Sequence, residues 1–141
     1  MSSLTQEQIR EMMLTLDGKY TLVEKGINLD LLVKDENFRI RLAIVEKGYG
    51  LDILMYDECP GVRAEVAKRG HKIDVLMNDE SWIVKVEVAE HGVGLDVLIN
   101  DEDPDVVEVC NELKGVLKTI VIERSFGTYE GNLFLYIFEE K

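Results

Sequence analysis

GYGLDILMYDE, residues 48–58, is one of four copies of a single pattern that recurs every 22 residues along this chain. The other copies are GINLDLLVKDE (26–36), GHKIDVLMNDE (70–80) and GVGLDVLINDE (92–102). Self-similarity at a fixed period of roughly 20 to 50 residues is typical of repeat architectures, in which each unit is too small to bury its own apolar face. The copies are therefore predicted to stack against one another.

Each unit has the apolar spacing of two helices. Leu51 and Leu54 lie three residues apart, as on a short helix, and Val62 and Val66 keep the i, i+4 spacing of a second, longer helix. Ile53 lies inside the first pair, which predicts a tight or 3₁₀ turn that is buried on more than one side. The equivalent residues of the four units form columns: Leu29/Leu51/Ile73/Leu95, Leu31/Ile53/Val75/Val97, Leu32/Leu54/Leu76/Leu98, Ile40/Val62/Val84/Val106 and Ile44/Val66/Val88/Cys110.

The two ends of the chain depart from this pattern and predict caps. Thr5 and Gln8 form a capping box for a helix over residues 4–16, with Asp17-Gly18 as its stop, inside an N-terminal cap of residues 1–19. Beyond the repeats of residues 20–113, the β-branched and aromatic stretches 119–124 and 133–138 predict a β-hairpin within residues 114–141. Two roles stay open for this hairpin: sealing the last repeat, or pairing at its edge with another protein or a second copy, as a homodimer.

The sequence thus predicts a single domain over residues 1–141 that is mostly α-helical. Its fold class is an α-solenoid, or superhelix, of about four 22-residue two-helix repeats, with an N-terminal capping helix and a C-terminal β-hairpin. The stretch VRAEVAKRGHKIDVLMND (62–79) resembles the leucine-rich repeat variant family and, more loosely, HEAT repeats. That resemblance implies a right-handed superhelix of paired helices that binds other macromolecules. The chain lacks that family's Pro-rich segment and its cysteine cluster for an iron–sulfur module, and its period is shorter.

The charge of the chain restricts its partners. A net charge of −12 argues against direct binding to nucleic acid or to an anionic membrane, because both need clustered Lys and Arg, and it favours a basic partner. We find no secretory leader and no apolar run of about 18 residues, so the expected location is cytoplasmic. Cys59 and Cys110 are expected to be reduced thiols, with Cys110 buried in the column of Ile44.

Three acidic columns run through the units: Asp30/Asp52/Asp74/Asp96, Asp35/Asp57/Asp79/Asp101 and Glu36/Glu58/Glu80/Glu102. Catalysis needs one asymmetric site, whereas these carboxylates are copied in every unit. Arg41, Arg63 and Lys85 follow the second column by six residues, a spacing that resembles the Asp–Arg ladder of HEAT repeats, in which charges bridge adjacent layers. The first column is predicted to accept N–H groups at helix N-termini, and the Glu column is predicted to be solvated.

No pattern indicates an enzyme, a cofactor or a metal site. His71 and His91 lack a clustered set of Cys or His partners, and neither a nucleophile motif nor a Gly-rich phosphate loop occurs. The sequence therefore predicts a non-enzymatic protein–protein interaction module that binds a basic protein partner. Trp82 is either a packing residue or an anchor for that partner. The residues predicted to bind the partner are Tyr49, Tyr56, Glu58, His71, Asn78, Glu80, Trp82, Asn100 and Glu102.

A second hypothesis is a small acidic inhibitor that blocks the nucleic-acid channel of an enzyme, as anti-CRISPRs and other phage-encoded inhibitors do. The chain resembles those proteins in size and charge only. At roughly three carboxylates per layer, the columns are too dilute to imitate the phosphates of a duplex, which number about six per 10 Å. Imitation of a single strand stays open.

Overall fold

The computed structural model describes residues 3–125 of the chain, with side chains for residues 3–116. Helices of four residues alternate with longer ones after the first two helices. In chain order the helices are α1 Gln6–Met12, α2 Leu16–Lys25, α3 Leu29–Leu32, α4 Phe38–Glu46, α5 Leu51–Leu54, α6 Pro60–Lys68, α7 Ile73–Leu76, α8 Trp82–Glu90, α9 Leu95–Leu98 and α10 Pro104–Ser125. None of the helices in this part of the chain is both long enough and apolar enough to cross a membrane.

The long helices pack on one another in chain order. α2 contacts α4, α4 contacts α6, α6 contacts α8 and α8 contacts α10, while each short helix contacts the long helices beside it. Two buried columns lie on the facing surfaces of the long helices, and a third lies on the short helices, as predicted from their spacing. These buried residues are Ile40, Val62, Val84, Val106, Ile44, Val66, Val88, Cys110, Leu32, Leu54, Leu76 and Leu98. The core is therefore a continuous band along the stack.

Glycine ends each of the middle long helices. Gly48 follows α4 with φ +74°, a left-handed conformation that costs glycine little. The backbone N–H of Gly48 donates to Val45 O at 2.7 Å and that of Tyr49 donates to Ile44 O at 3.1 Å. These two bonds satisfy the last carbonyl groups of the helix and turn the chain into the next short helix.

The N-terminal prediction was correct for the capping box and wrong for the helix stop. Gln8 N–H donates to Thr5 Oγ1 at 3.2 Å, and Thr5 N–H donates to Gln8 Oε1 at 2.8 Å. Asp17-Gly18, however, lies in the first turn of α2, whose N-cap Thr15 accepts a bond from Gly18 N–H at 3.0 Å. A Cβ at Gly18 would run into the carbonyl group of Met12, so glycine there allows α1 to approach α2. α2 thus spans the predicted boundary at residues 19/20.

The third residue of each short helix is exposed, contrary to the prediction of a turn buried on more than one side. Leu51 and Leu54 share one face of α5 because they are three residues apart, and Ile53 points away from that face. The side chains of Leu31, Ile53, Val75 and Val97 are 60, 53, 43 and 60% exposed. A helix of one turn presents only two of its residues to the core.

The C-terminal β-hairpin is a wrong prediction. Residues 119–124, predicted as its first strand, belong to α10, and the helical class fits the described residues while a strand occurs nowhere in 3–125. In the 22-residue register of the repeats, Lys114 stands where Gly26, Gly48, Gly70 and Gly92 stand. Without glycine at that position the helix continues to Ser125. The predicted second strand, 133–138, lies outside the described residues.

Candidate functional site

Arg41 and Arg63 each join two neighbouring units. The Nε and Nη2 atoms of Arg41 donate to the two carboxylate oxygens of Asp57 at 2.6 and 2.9 Å, and Nη1 donates to the carbonyl group of Asp35 at 2.7 Å. Arg63 repeats this arrangement one unit later, with Asp79 at 2.8 and 2.9 Å and the carbonyl group of Asp57 at 2.7 Å. A planar guanidinium group presents two parallel N–H donors, which match the two oxygens of a carboxylate. The predicted ladder between layers is confirmed.

In the first and last ion pairs of the ladder the cation is a lysine. Lys85 Nζ lies 2.7 Å from Asp101 Oδ2, and Lys19 Nζ lies 2.7 Å from Asp35 Oδ2. Lys19 was missed by the sequence analysis, although it precedes Arg41 by one repeat length of 22 residues. The hydrogen bond from Lys85 is the largest cause of a lowered pKa at Asp101. The hydrogen bond to Asp57 is likewise the largest cause of a raised pKa at Arg41.

The ladder carboxylates also start the long helices. Asp57 Oδ1 accepts the N–H of Cys59 at 2.8 Å, and Asp79 Oδ1 accepts that of Ser81 at 2.8 Å. This role had been predicted for the first acidic column, and that prediction is wrong. The short helices begin after left-handed residues, at Asn28, Gly50, Lys72 and Gly94, that make no side-chain capping bond.

Two carboxylates per unit stay exposed outside the ladder. We call the residues Asp30, Asp52, Asp74, Asp96, Glu36, Glu58, Glu80 and Glu102 the acidic rows, and all of them are exposed. Glu58 Oε1 accepts a hydrogen bond from Arg41 Nη2 at 3.2 Å, and Glu80 Oε1 lies 3.8 Å from Arg63 Nη2, yet the two Glu side chains are 85 and 92% exposed. His71 Nε2 lies 2.8 Å from Asp52 Oδ1, and Lys114 Nζ lies 3.2 Å from Asp96 Oδ1. The predicted solvated Glu column is confirmed.

An apolar row lies beside these carboxylates. Leu31, Ile53, Val75 and Val97, here called the aliphatic row, each follow an Asp of the acidic rows directly in sequence. Their exposure is uniform from the first unit to the fourth, so it belongs to the repeat and not to one irregular turn. Sequence reasoning took this column for core, because apolar spacing on a one-turn helix does not distinguish its inner and outer faces.

A cleft adjoins the first member of the row. α1 and the start of α3 enclose an open space of about 560 Å³ that includes Ile9, Met13, Leu14, Asn28 and Leu31 among its lining residues. Leu14 is 83% exposed. The cleft is also lined by the polar and charged residues Gln6, Glu7, Arg10 and Glu11, so apolar and charged surface lie together beside Leu31.

The predicted partner-binding residues lie in two different connections of the repeat. Seven follow the short helices, up to the first residue of the next long helix: Tyr56, Glu58, Asn78, Glu80, Trp82, Asn100 and Glu102. Trp82, at the start of α8, is 45% exposed and Tyr56 is 73% exposed. Tyr49 and His71 lie in the connection before the short helix, where Tyr49 is exposed and His71 contacts the acidic rows.

The described side chains offer little for metal or nucleophile chemistry. Among residues 3–116, His, Cys, Asp and Glu form no group of three or more that could hold a metal ion. Cys59 and Cys110 are free thiols. Burial is the largest cause of a raised pKa at Cys110, which disfavours the thiolate form.

Comparison of the chain with protein-family models, with curated proteins and with solved structures found no match.

Proposed function

We propose that the protein is a non-enzymatic interaction module whose acidic surface holds a basic protein partner. The observation that carries this proposal is that the carboxylates of each unit fall into two sets, one buried in ion pairs between units and one exposed. In each unit the ladder Asp is paired with a cation of the preceding unit, whereas the Asp and Glu of the acidic rows stay exposed. Structural pairing accounts for the first set. The second set stays accessible to a partner, because even those of its members that contact a cation are exposed: Asp52, Glu58, Glu80 and Asp96.

The exposed carboxylates act together because they repeat along one stack. Charges of one sign on a surface raise the local concentration of an oppositely charged partner and its association rate. Tyr56 and Trp82, exposed near Glu58 and Glu80 in the chain, supply aromatic area of the kind that anchors interfaces. Charge would thus bring the partner to the surface, and these side chains would hold it.

On the ground of the same features we also propose a relationship to leucine-rich repeat variant or HEAT repeats. Each unit pairs two helices, and Arg41 and Arg63 bridge adjacent layers as in the Asp–Arg ladder. Both families serve as binding surfaces, which agrees with a role in protein recognition.

Titration of the protein with a fluorescent peptide of about 20 residues rich in Lys and Arg tests the proposal. We expect the affinity to fall steeply as ionic strength rises, since exposed charges are screened beyond about 8–10 Å at physiological salt. The variant E58Q/E80Q/E102Q should bind more weakly than the control E24Q/E46Q/E90Q, which removes as many exposed charges at the ends of long helices. An affinity that changes neither with the salt concentration nor in E58Q/E80Q/E102Q would overturn the proposal.

The inhibitor hypothesis makes a separate prediction. Two exposed carboxylates per layer of about 8–10 Å approach the density of phosphates on a single strand, about three per 10 Å. Under that hypothesis, a single-stranded oligonucleotide should compete with the protein for a nucleic-acid-binding partner. Simultaneous binding of both to that partner would count against it.

A further inference from the structure

The aliphatic row is unexplained by the packing of the repeats. Each unit buries the fourth residue of its short helix and leaves the third exposed, from Leu31 at 60% to Val97 at 60%. Four aliphatic side chains stand at equivalent positions of four stacked units, so they form a strip that recurs along the stack, with the cleft beside α1 at one end. Strips of exposed apolar surface mark interaction sites more often than isolated exposed residues do.

We propose that this strip docks one amphipathic, basic helix of the partner, laid along the stack. This inference rests on the proposed function and names the form of the segment that binds. Charge complementarity decides the sign of the partner, because Asp30, Asp52, Asp74 and Asp96 each precede a residue of the row and are exposed. Lys or Arg beside the apolar face of the helix would meet those carboxylates while its aliphatic residues cover the row.

The same charges argue against other occupants. A second copy, with its own net charge of −12, would bring like charges face to face around the row. The C-terminal segment 126–141 of this chain contains three Glu and one Lys, so it is acidic as well. The strip therefore fits a segment of opposite charge from another protein.

The spacing of the row favours a helix as its occupant. The long helices of successive units pack on one another, and packed helices lie about 8–10 Å apart, so successive units present one residue of the row at about that interval. Residues seven apart on an α-helix are about 10.5 Å apart and lie on nearly the same face. About 20 residues of helix, some 30 Å long, would contact all four units.

Two extended conformations fit less well. A β-strand rises about 3.3 Å per residue, so every third residue matches the interval but alternates between faces. A polyproline helix repeats every three residues, over about 9.3 Å, yet it docks into grooves lined by aromatic residues. The row is aliphatic in all four units.

Three synthetic peptides of equal charge test the inference by titration at constant salt. The first is helical, with Leu at every seventh position, Lys on both sides of that stripe and Ala elsewhere. The second has the same composition with its Leu residues distributed around the helix. The third repeats Lys-Pro-Leu. Each is also titrated against I53N/V75N and against the control I83N/V93N, which changes two exposed aliphatic residues outside the row. Circular dichroism melting verifies that both variants stay folded.

We expect the first peptide to bind roughly tenfold or more tightly than the other two, and I53N/V75N to abolish that difference while I83N/V93N preserves it. Equal binding of the first two peptides would overturn the helix inference and leave the acidic binding surface standing. Tighter binding of the third peptide, or an unchanged preference in I53N/V75N, would also overturn it. Failure of all three peptides to bind would overturn both this inference and the proposed function.

Discussion

Arg63 illustrates how one buried side chain connects two repeats. Its guanidinium group donates to a carboxylate of the following unit and to a backbone carbonyl group of the preceding connection. Both Arg63 and Asp79 are largely withdrawn from water, with side chains 11 and 9% exposed. Removal of one partner from such a pair leaves the other charge buried and unpaired.

We therefore expect D79A to lower the free energy of unfolding by about 3–5 kcal/mol. The substitution also removes the acceptor of the Ser81 N–H group at the start of α8. Urea denaturation followed by circular dichroism measures the loss. The neighbouring change E80A, at a side chain that is 92% exposed, should stay within about 0.5 kcal/mol of the parent. Equal losses in the two variants would show that the ladder pair is not a structural contact.

Asp101 gives a prediction about pH. Its pKa is lowered in the folded state, chiefly by the hydrogen bond from Lys85, so the unfolded chain binds a proton at this group more readily. The resulting stability is fully present above the unfolded pKa, about 3.9, and is lost as the pH falls through the folded pKa. D101N should therefore show a weaker fall in the free energy of unfolding between neutral pH and acid than the parent does. An identical pH profile for D101N and the parent would contradict this assignment.

Each short helix places two adjacent apolar residues on opposite sides, one in the core and one at the surface. Leu76 is 3% exposed and Val75 is 43% exposed, although both occupy aliphatic columns of the repeat. We expect L76A to cost about 2–5 kcal/mol of unfolding free energy, because it leaves a cavity between packed units. V75A, the matched change one residue away, should cost less than about 1 kcal/mol. Equal losses of unfolding free energy in L76A and V75A, measured by urea denaturation, would show that Leu76 and Val75 are not divided between the core and the surface.

The glycine at the end of each long helix gives a second comparison. Gly70 has φ +75°, where a Cβ is strained, whereas Gly61 lies inside α6 with room for a Cβ. We expect G70A to lose about 1–2 kcal/mol and G61A to gain about 0.4–1 kcal/mol. The melting temperatures of the two variants should shift in opposite directions. A stabilising G70A would show that the turn after α6 does not need the left-handed conformation.

The sequence predicts correctly those repeated positions that have one physical role in every unit. Val62, Val66 and Arg63 were placed correctly because apolar spacing and charge spacing recur in each unit. The predictions are wrong where no recurring spacing indicates the role of a residue. A one-turn helix has no readable period, so the predicted burial of Ile53 is wrong. The β-branched residues 119–124 predict a strand, whereas they continue α10 because no glycine stands at Lys114. The candidate site was predicted in part, since the acidic rows were found and the aliphatic row was not.

Stacking of the 22-residue repeat gives the protein two kinds of surface, one packed and one exposed. The inner surface of each unit packs on its neighbours, and the ladder joins the units at their connections. The outer surface presents carboxylates and aliphatic side chains at a regular interval. Under the proposed function, affinity for a long partner should grow with the number of units it covers.

The most direct test of the binding account is an NMR titration of the ¹⁵N-labelled protein with the helical Lys/Leu peptide. We expect progressive shifts of the backbone amide signals of α3, α5, α7 and α9 and of the connections that follow them, with the outer faces of the long helices unaffected. Shifts concentrated elsewhere, or none at saturating peptide, would contradict the claim that the acidic rows and the aliphatic row form the binding surface.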